Sequence, residues 1–111
     1  MKKVILYGIR GLLRKEIEQY LSDEYEIIGY SDSAAEYQHC RWIDFKQFFS
    51  KEVLKTIEFD YCIITTKTRE TAKEIKDMLL SEGVDKNKIL EYALFNGVQY
   101  PHPYEMWGVL L

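Results

Sequence analysis

The sequence has only two cysteines, no excess of positive charge and no long apolar run, and each absence excludes a class of protein. Cys40 and Cys62 cannot form a disulfide framework in a chain of 111 residues, which favours a cytoplasmic protein with free thiols. A net charge of −3 without a basic block argues against general nucleic-acid binding. No run approaches the roughly 18 apolar residues of a membrane span, and the run after Lys3 is too short for a signal peptide. We therefore predict no nucleic-acid and no membrane partner.

Recognised catalytic and metal-binding motifs are also missing. No tyrosine is followed four residues later by lysine, and neither a Gly-x-Ser-x-Gly elbow nor a P-loop occurs. The residues His39, Cys40 and His102 lack the spacing of a metal site. We therefore predict no catalytic residues and no metal site. A small NAD(P)-dependent reductase is the weaker alternative, because it needs an acid–base pair that the sequence does not show.

A strand–turn–helix pattern near the start of the chain is the main structural signal. Val4–Tyr7 is an apolar run that ends at Gly8, and a helical pattern begins within three residues. This order is typical of a βαβ unit that holds a phosphate at a helix N-terminus. The dinucleotide fingerprint has glycine at its first, third and sixth positions, but Arg10 and Leu13 occupy the second and third of these. The pattern therefore supports the fold better than it supports a cofactor.

Strands and helices alternate along the chain, which predicts an α/β domain. We expect a Rossmann-like parallel sheet of about five strands in the order 3-2-1-4-5, with helices on both faces and right-handed crossovers. The predicted strands are Lys3–Tyr7, Tyr25–Tyr30, Trp42–Ile43, Tyr61–Thr65 and Lys88–Leu90. The predicted helices are one that carries Leu13, Ile17 and Leu21, one over Phe45–Ile57 with Asp44 as N-cap and Gln47 three residues later, and one that carries Ala72, Ile75 and Leu79 and ends at Gly83.

The chain divides into a domain over residues 1–90 and an aromatic extension over residues 91–111. Pro101 and Pro103 prevent a continuous helix through the extension. Exposed apolar residues of this kind favour aggregation, so the extension needs a surface to cover it. Three alternatives stay open: it packs on its own sheet, it forms a dimer or partner interface, or the chain is part of a longer protein.

The candidate ligand site lies where the first, second and fourth predicted strands end, because open α/β sheets bind ligands at the carboxyl ends of their strands. The cations Arg10, Arg14, Lys67 and Arg69 follow these strand ends and suit an anion; alternatively, Arg14 and Arg69 point to water. Asp32 either accepts a hydrogen bond from a ribose hydroxyl or caps a turn. Thr65 and Thr66 either line the pocket or end a strand. The predicted binding residues are Gly8, Arg10, Gly11, Arg14, Asp32, Thr65, Thr66 and Lys67.

Four segments resemble the small Rossmann-like domain of bacterial surface-polysaccharide proteins, where it precedes nucleotide-sugar dehydratases, sugar acetyltransferases and methyltransferases. Within them, Gly8 and Arg14 match the two ends of that family's first loop, and Asp32 matches the acid that ends its second strand. The resemblance implies a nucleotide or nucleotide-sugar ligand and a role in sugar metabolism, and it does not name the cofactor, for which NAD(P) and a nucleotide-sugar both stay open. It also implies polysaccharide-biosynthesis enzymes as partners, and a homodimer stays open. The alternative is a protein-interaction or oligomerisation module with a degenerate nucleotide pocket. The four segments are Val4–Arg14, Gly29–Asp32, Asp60–Thr65 and Gly83–Leu90.

Overall fold

A computed structural model describes residues 1–9, 14, 17–18, 21, 25–66, 69–95 and 98–103, and for residues 69, 92–95 and 98–103 it describes the backbone alone. The elements whose bounds are described are seven strands, one α-helix and three short 3-10 helices. The strands are β1 (Lys2–Tyr7), β2 (Tyr25–Ser31), β3 (Trp42–Ile43), β4 (Lys46–Phe48), β5 (Tyr61–Ile64), β6 (Ile89–Phe95) and β7 (Val98–Pro103). The α-helix is α1 (Arg69–Ser81), and the 3-10 helices are Ala35–Tyr37, Lys51–Thr56 and Lys86–Lys88.

The strands form one mixed sheet in the order β3-β4-β2-β1-β5-β6-β7. The five inner strands are parallel, and β3 and β7 add antiparallel pairs at the two ends. The α/β class is confirmed, but the predicted order of five strands is wrong. The place beside β2 belongs to β4, and the predicted third strand, Trp42–Ile43, lies outside it as an antiparallel edge.

The predicted helix over Phe45–Ile57 is wrong, because a tight turn replaces its start. Asp44 and Phe45 have φ values of 47° and 68°, and they form the two-residue turn between Ile43 and Lys46. Positive φ at both central positions is the signature of a hairpin turn whose twist matches the flanking strands. Asp44 is therefore a turn residue and not a helix N-cap. The four-residue spacing that suggested a helix runs through a strand end, the helix Lys51–Thr56 and a loop.

Gly29 explains why β4 can pair with β2. A Cβ atom at this position would lie 2.5 Å from the carbonyl oxygen of Gln47 and 2.6 Å from the ring of Phe49. The register of β1 and β2 also shifts by one residue just before Gly29, which is a β-bulge. A glycine inside a strand marks such a bulge or a close backbone approach, and here it marks both.

Apolar side chains pack on both faces of the sheet. On one face, α1 and the helix Lys51–Thr56 cover a cluster that includes Ile5, Leu54, Cys62, Ile64, Leu79 and Ile89. On the other face, the cluster includes Val4, Leu6, Ile17, Tyr30, Ile63 and Leu90. Arg14, Ile17 and Glu18 have helical backbone, and Ile17 is buried as predicted. The rest of the predicted first helix lies outside the described residues.

Helix α1 ends as its sequence predicts. Gly83 has a φ of 92°, the N–H of Val84 donates to the carbonyl of Leu79, and the N–H of Gly83 donates to the carbonyl of Leu80. These two bonds form a Schellman motif, which satisfies carbonyls that the helix end leaves open. Ala72 and Leu79 face the core as expected. Helix α1 therefore presents one stripe to the sheet.

The first part of the predicted extension lies in the sheet. Strand β6 begins at Ile89 and crosses residue 90, and β7 returns beside it with Tyr92 opposite Pro101. Pro101 and Pro103 lie on an edge strand, where a missing N–H costs little. Residues 96–97 and 104–111, which include Tyr104 and Trp107, lie outside the described residues.

Candidate functional site at the carboxyl ends of the strands

The sheet brings Gly8, Asp32 and Thr65 together at one edge. The hydrogen-bond ladder continues past the strand ends: the N–H of Gly8 donates to the carbonyl of Ser31 (2.8 Å), and the N–H of Thr65 donates to that of Tyr7 (3.0 Å). Strands β2, β1 and β5 therefore end side by side. This edge is where open parallel sheets form ligand sites.

The turn after β1 requires glycine. Gly8 has a φ of 117°, and a Cβ atom there would overlap the hydroxyl of Thr65. That hydroxyl lies within hydrogen-bond distance of the carbonyls of Tyr7 (3.0 Å) and Gly8 (3.1 Å). Thr65 is buried, so this hydroxyl closes the turn from below. The backbone of Thr65 therefore follows the end of β5, in line with the alternative that Thr65 ends a strand. Its side chain stabilises the turn at Gly8.

Asp32 links two loops through its carboxylate. One oxygen accepts from the N–H of Ile9 (2.8 Å), and the other accepts from the N–H of Ala34 (2.8 Å). The predicted turn cap is therefore present, and the same side chain also binds the first N–H after Gly8. In a nucleotide-binding loop such N–H groups are available to phosphate. Asp32 is only half-buried, and each carboxylate oxygen has a further lone pair for a hydroxyl donor.

Several hydroxyl groups belong to residues at this edge of the sheet. The hydroxyls of Tyr7 and Ser33 share a hydrogen bond, and burial raises the pKa of Tyr7 to about 12. Among the described residues, the hydroxyls of Ser31 and Thr66 are buried without a hydrogen-bond partner. Buried polar groups nearly always have a partner, so these two positions are suited to contact a bound molecule or water.

Glu91 is a buried acid near this edge that the sequence analysis missed. The strand registers align Ser31, Tyr7, Ile64 and Glu91 in one row, so their side chains share a face. Glu91 is only 2% exposed. The prediction ended the last strand at Leu90 and assigned Glu91 to the extension. The feature of the sequence that could have indicated a buried acid is a single glutamate within an apolar run.

Arg14 is buried in a network beside the site. Its guanidinium lies 2.8 Å from Asp44 and 3.5 Å from Glu18, and it stacks 4.9 Å from the ring centre of Tyr30. Burial by itself lowers the pKa of Arg14. The hydrogen bond to Asp44 and the charge of Glu18 act in the opposite direction and outweigh burial, so the net shift of the pKa is upward. Burial and a hydrogen bond to Glu18 raise the pKa of Tyr30 to about 12. The alternative that Arg14 points to water is wrong.

Several predicted binding residues have no described geometry. Arg10, Gly11 and Lys67 lie outside the described residues, as does the side chain of Arg69. The alternatives for these positions stay predictions.

The cysteines and metal-ligand residue types form no cluster in the described part of the chain. Cys40 and Cys62 are free thiols. Burial raises the pKa of the Cys62 thiol to about 12, which disfavours the thiolate, the reactive form of cysteine.

A concave surface lies at the opposite, amino-terminal edge of the sheet. This groove has a volume of about 300 Å³, and Lys3 and Asp60 exchange two hydrogen bonds beside it (2.7 and 2.8 Å). Its charges have both signs, and Lys88 lies over the ring of Phe59. The groove was not predicted from the sequence. It is lined by Met1, Lys3, Glu58, Phe59, Asp60 and Lys88.

A known protein family matches most of the chain. The model of the family described as "C2185-like, N-terminal" matches residues 1–90. The chain belongs to this family. The matched range of the C2185-like N-terminal domain contains β1 to β5, α1 and all the described residues of the carboxyl-edge site except Glu91. No curated protein matches the chain.

The described helices are also informative about membranes. Within the described residues, no helix combines the length and apolar character that crossing a membrane needs.

Proposed function

We propose that this domain binds a nucleotide or a nucleotide-sugar at the carboxyl ends of β1, β2 and β5 and does not itself catalyse a reaction. The proposal rests on one observation: among the described residues, this edge of the sheet contains a glycine turn, a carboxylate and two buried hydroxyls without a hydrogen-bond partner. Asp32 can accept a hydrogen bond from a ribose or sugar hydroxyl. Ser31 and Thr66 can bond to oxygen atoms of the ligand.

The biological setting follows from the resemblance to the Rossmann-like domain of surface-polysaccharide proteins. Gly8, Arg14 and Asp32 occupy the positions that carry this resemblance. We extend the proposal to a role in surface-polysaccharide biosynthesis, in the same chain as nucleotide-sugar-modifying enzymes or as their partner. NAD(P) and nucleotide-sugars are the ligand classes that we would test first.

A second candidate is an interaction or oligomerisation module with a degenerate pocket, including a homodimer. Two specific observations favour it. The N–H of Ile9 already donates to Asp32, and the guanidinium of Arg14 already pairs with Asp44. The protein thus uses two of its own groups where a ligand phosphate would otherwise bind.

Thermal unfolding with a ligand panel tests the first candidate. The panel contains NAD, NADP, AMP, CoA and several uridine and guanosine diphosphate sugars. A ligand at 100 times its dissociation constant adds about 2.7 kcal/mol of stability. At about 4–8 °C per kcal/mol for a domain of this size, the shift is readily measured.

Two carboxylate variants locate the effect. Asp32→Asn should weaken the ligand-induced shift, because it removes an acceptor at the carboxyl edge. Asp60→Asn is the matched control, since Asp60 also accepts a backbone N–H, but at the amino edge (2.7 Å). A panel without any shift would contradict ligand binding, and the size of the protein in solution would then test the second candidate.

A further inference from the structure

The β3–β4 hairpin exposes two large aromatic side chains at one end of the sheet. Trp42 is 65% exposed, and Phe45 at the turn is fully exposed. Residues of this type normally bury most of their surface. Two of them within four positions form an apolar tip on the molecule.

The backbone conformation of this tip makes an aromatic residue at position 45 energetically unfavourable. Phe45 adopts a φ of 68°, the conformation in which hairpin turns of this type strongly prefer glycine. A bulky residue with positive φ is an outlier that persists only when the surroundings hold it. Here the neighbouring Asp44 is held by Arg14 at 2.8 Å. The chain therefore keeps an exposed phenyl group where glycine would suit the backbone better.

The charges around the tip are mostly positive. Arg41 is exposed and Lys46 is half-buried, on either side of the two aromatics. Asp44 is the one acid between residues 41 and 46, and it pairs with the buried guanidinium of Arg14, which Glu18 also contacts. The three cations and two acids named here leave one net positive charge beside the two aromatic groups.

We propose that this hairpin anchors the protein to the surface of an anionic lipid bilayer. Phe45 and Trp42 enter the interfacial region, where aromatic rings are favoured, and Arg41 and Lys46 bind the headgroup phosphates. The prediction of no membrane partner rested on the lack of a spanning segment, which a surface anchor does not need.

The shape and charge of the tip favour a lipid bilayer over a protein partner or a second copy of the chain as its binding partner. A stable protein interface buries about 800 Å² on each partner, more than a two-residue turn and its flanking side chains offer. A bilayer, in contrast, closes around a narrow tip. In a two-fold interface centred on the tip, the Arg41 and Lys46 side chains of the two copies would lie close together, and like charges repel.

Vesicle co-sedimentation of the full chain tests the proposal. The probes are vesicles of pure phosphatidylcholine and vesicles with equal parts of phosphatidylcholine and phosphatidylglycerol. We expect about tenfold or greater preference for the anionic vesicles at low ionic strength, and this preference should fall at high salt.

Variants separate the roles of the aromatic and charged groups. Phe45→Gly should lower binding to anionic vesicles about tenfold or more without lowering the midpoint of thermal unfolding, because glycine accepts positive φ. Leu80→Ser removes an exposed apolar side chain from α1 and is the matched control. Arg41→Gln should weaken binding, whereas Lys73→Gln on the exposed face of α1 should have less effect.

Either of two results would overturn the proposal. The first is equal binding to neutral and anionic vesicles, or no binding to either. The second is unchanged binding of Phe45→Gly in a protein that remains folded. Both would leave a protein partner as the occupant of the hairpin tip.

Discussion

At the scale of single residues, the turn after β1 depends on the pair of Gly8 and Thr65. We predict that Gly8→Ala lowers the free energy of unfolding by about 1–3 kcal/mol, because alanine is strained at a φ of 117° and its Cβ overlaps the Thr65 hydroxyl. Thr65→Ala removes the overlap but not the strain. Chemical denaturation of both single variants and the double variant should show that the second substitution costs less in the Gly8→Ala background. Strictly additive losses would contradict this packing.

Tyr7 and Tyr30 predict how stability depends on alkaline pH. Both have pKa values raised from 10.0 to about 12 in the folded protein, first by burial. A raised pKa means that the folded state holds its proton longer than the unfolded state does. Their contribution is therefore complete below pH 10 and is lost as the pH rises from 10 towards 12.

The double variant Tyr7→Phe and Tyr30→Phe provides the comparison. Its unfolding free energy, measured by denaturant titration at several pH values, should fall less steeply over this range than that of the wild type. Equal slopes for the two proteins would mean that these phenols are not protected in the folded state.

At the scale of elements, helix α1 shows where periodicity predicts structure well. Leu79 is fully buried and its neighbour Leu80 is 37% exposed, as expected for one apolar stripe. Leu79→Ala should cost about 2–5 kcal/mol through lost burial and a cavity. Leu80→Ala should change stability by no more than about 0.5 kcal/mol. Similar losses for both, measured by denaturation, would contradict the packing of this helix.

The same kind of pattern failed over Phe45–Ile57, for a physical reason. The spacing of Phe49, Val53 and Ile57 is local information, whereas β4 forms through pairing with β2, which is distant in sequence. That pairing depends on the missing side chain of Gly29 and on positive φ at Asp44. A non-glycine turn of this kind carries only a weak sequence signal.

At the scale of the whole molecule, the sequence predicted which strand ends lie side by side. It did not predict all of the polar groups and hydrogen bonds that are found there. Gly8 and Asp32 were found because a buried strand must end in a turn and parallel strands end at a common edge. The hydrogen bond from Ile9 to Asp32 joins two distant loops, and no local pattern contains it. Ser31 and Glu91 are buried polar groups in strands, and their role follows only from the register across the sheet.

We propose that the ligand binds at the carboxyl edge of the sheet and not at its amino edge. Amide chemical shifts of the isotope-labelled protein, titrated with the ligand that raises thermal stability most, test this directly. The amides of Ile9, Ala34 and Thr66 should shift with ligand concentration, while those of Asp60 and Lys88 at the amino edge should not. Shifts confined to the amino-edge groove, or no ligand-dependent shifts at all, would contradict it.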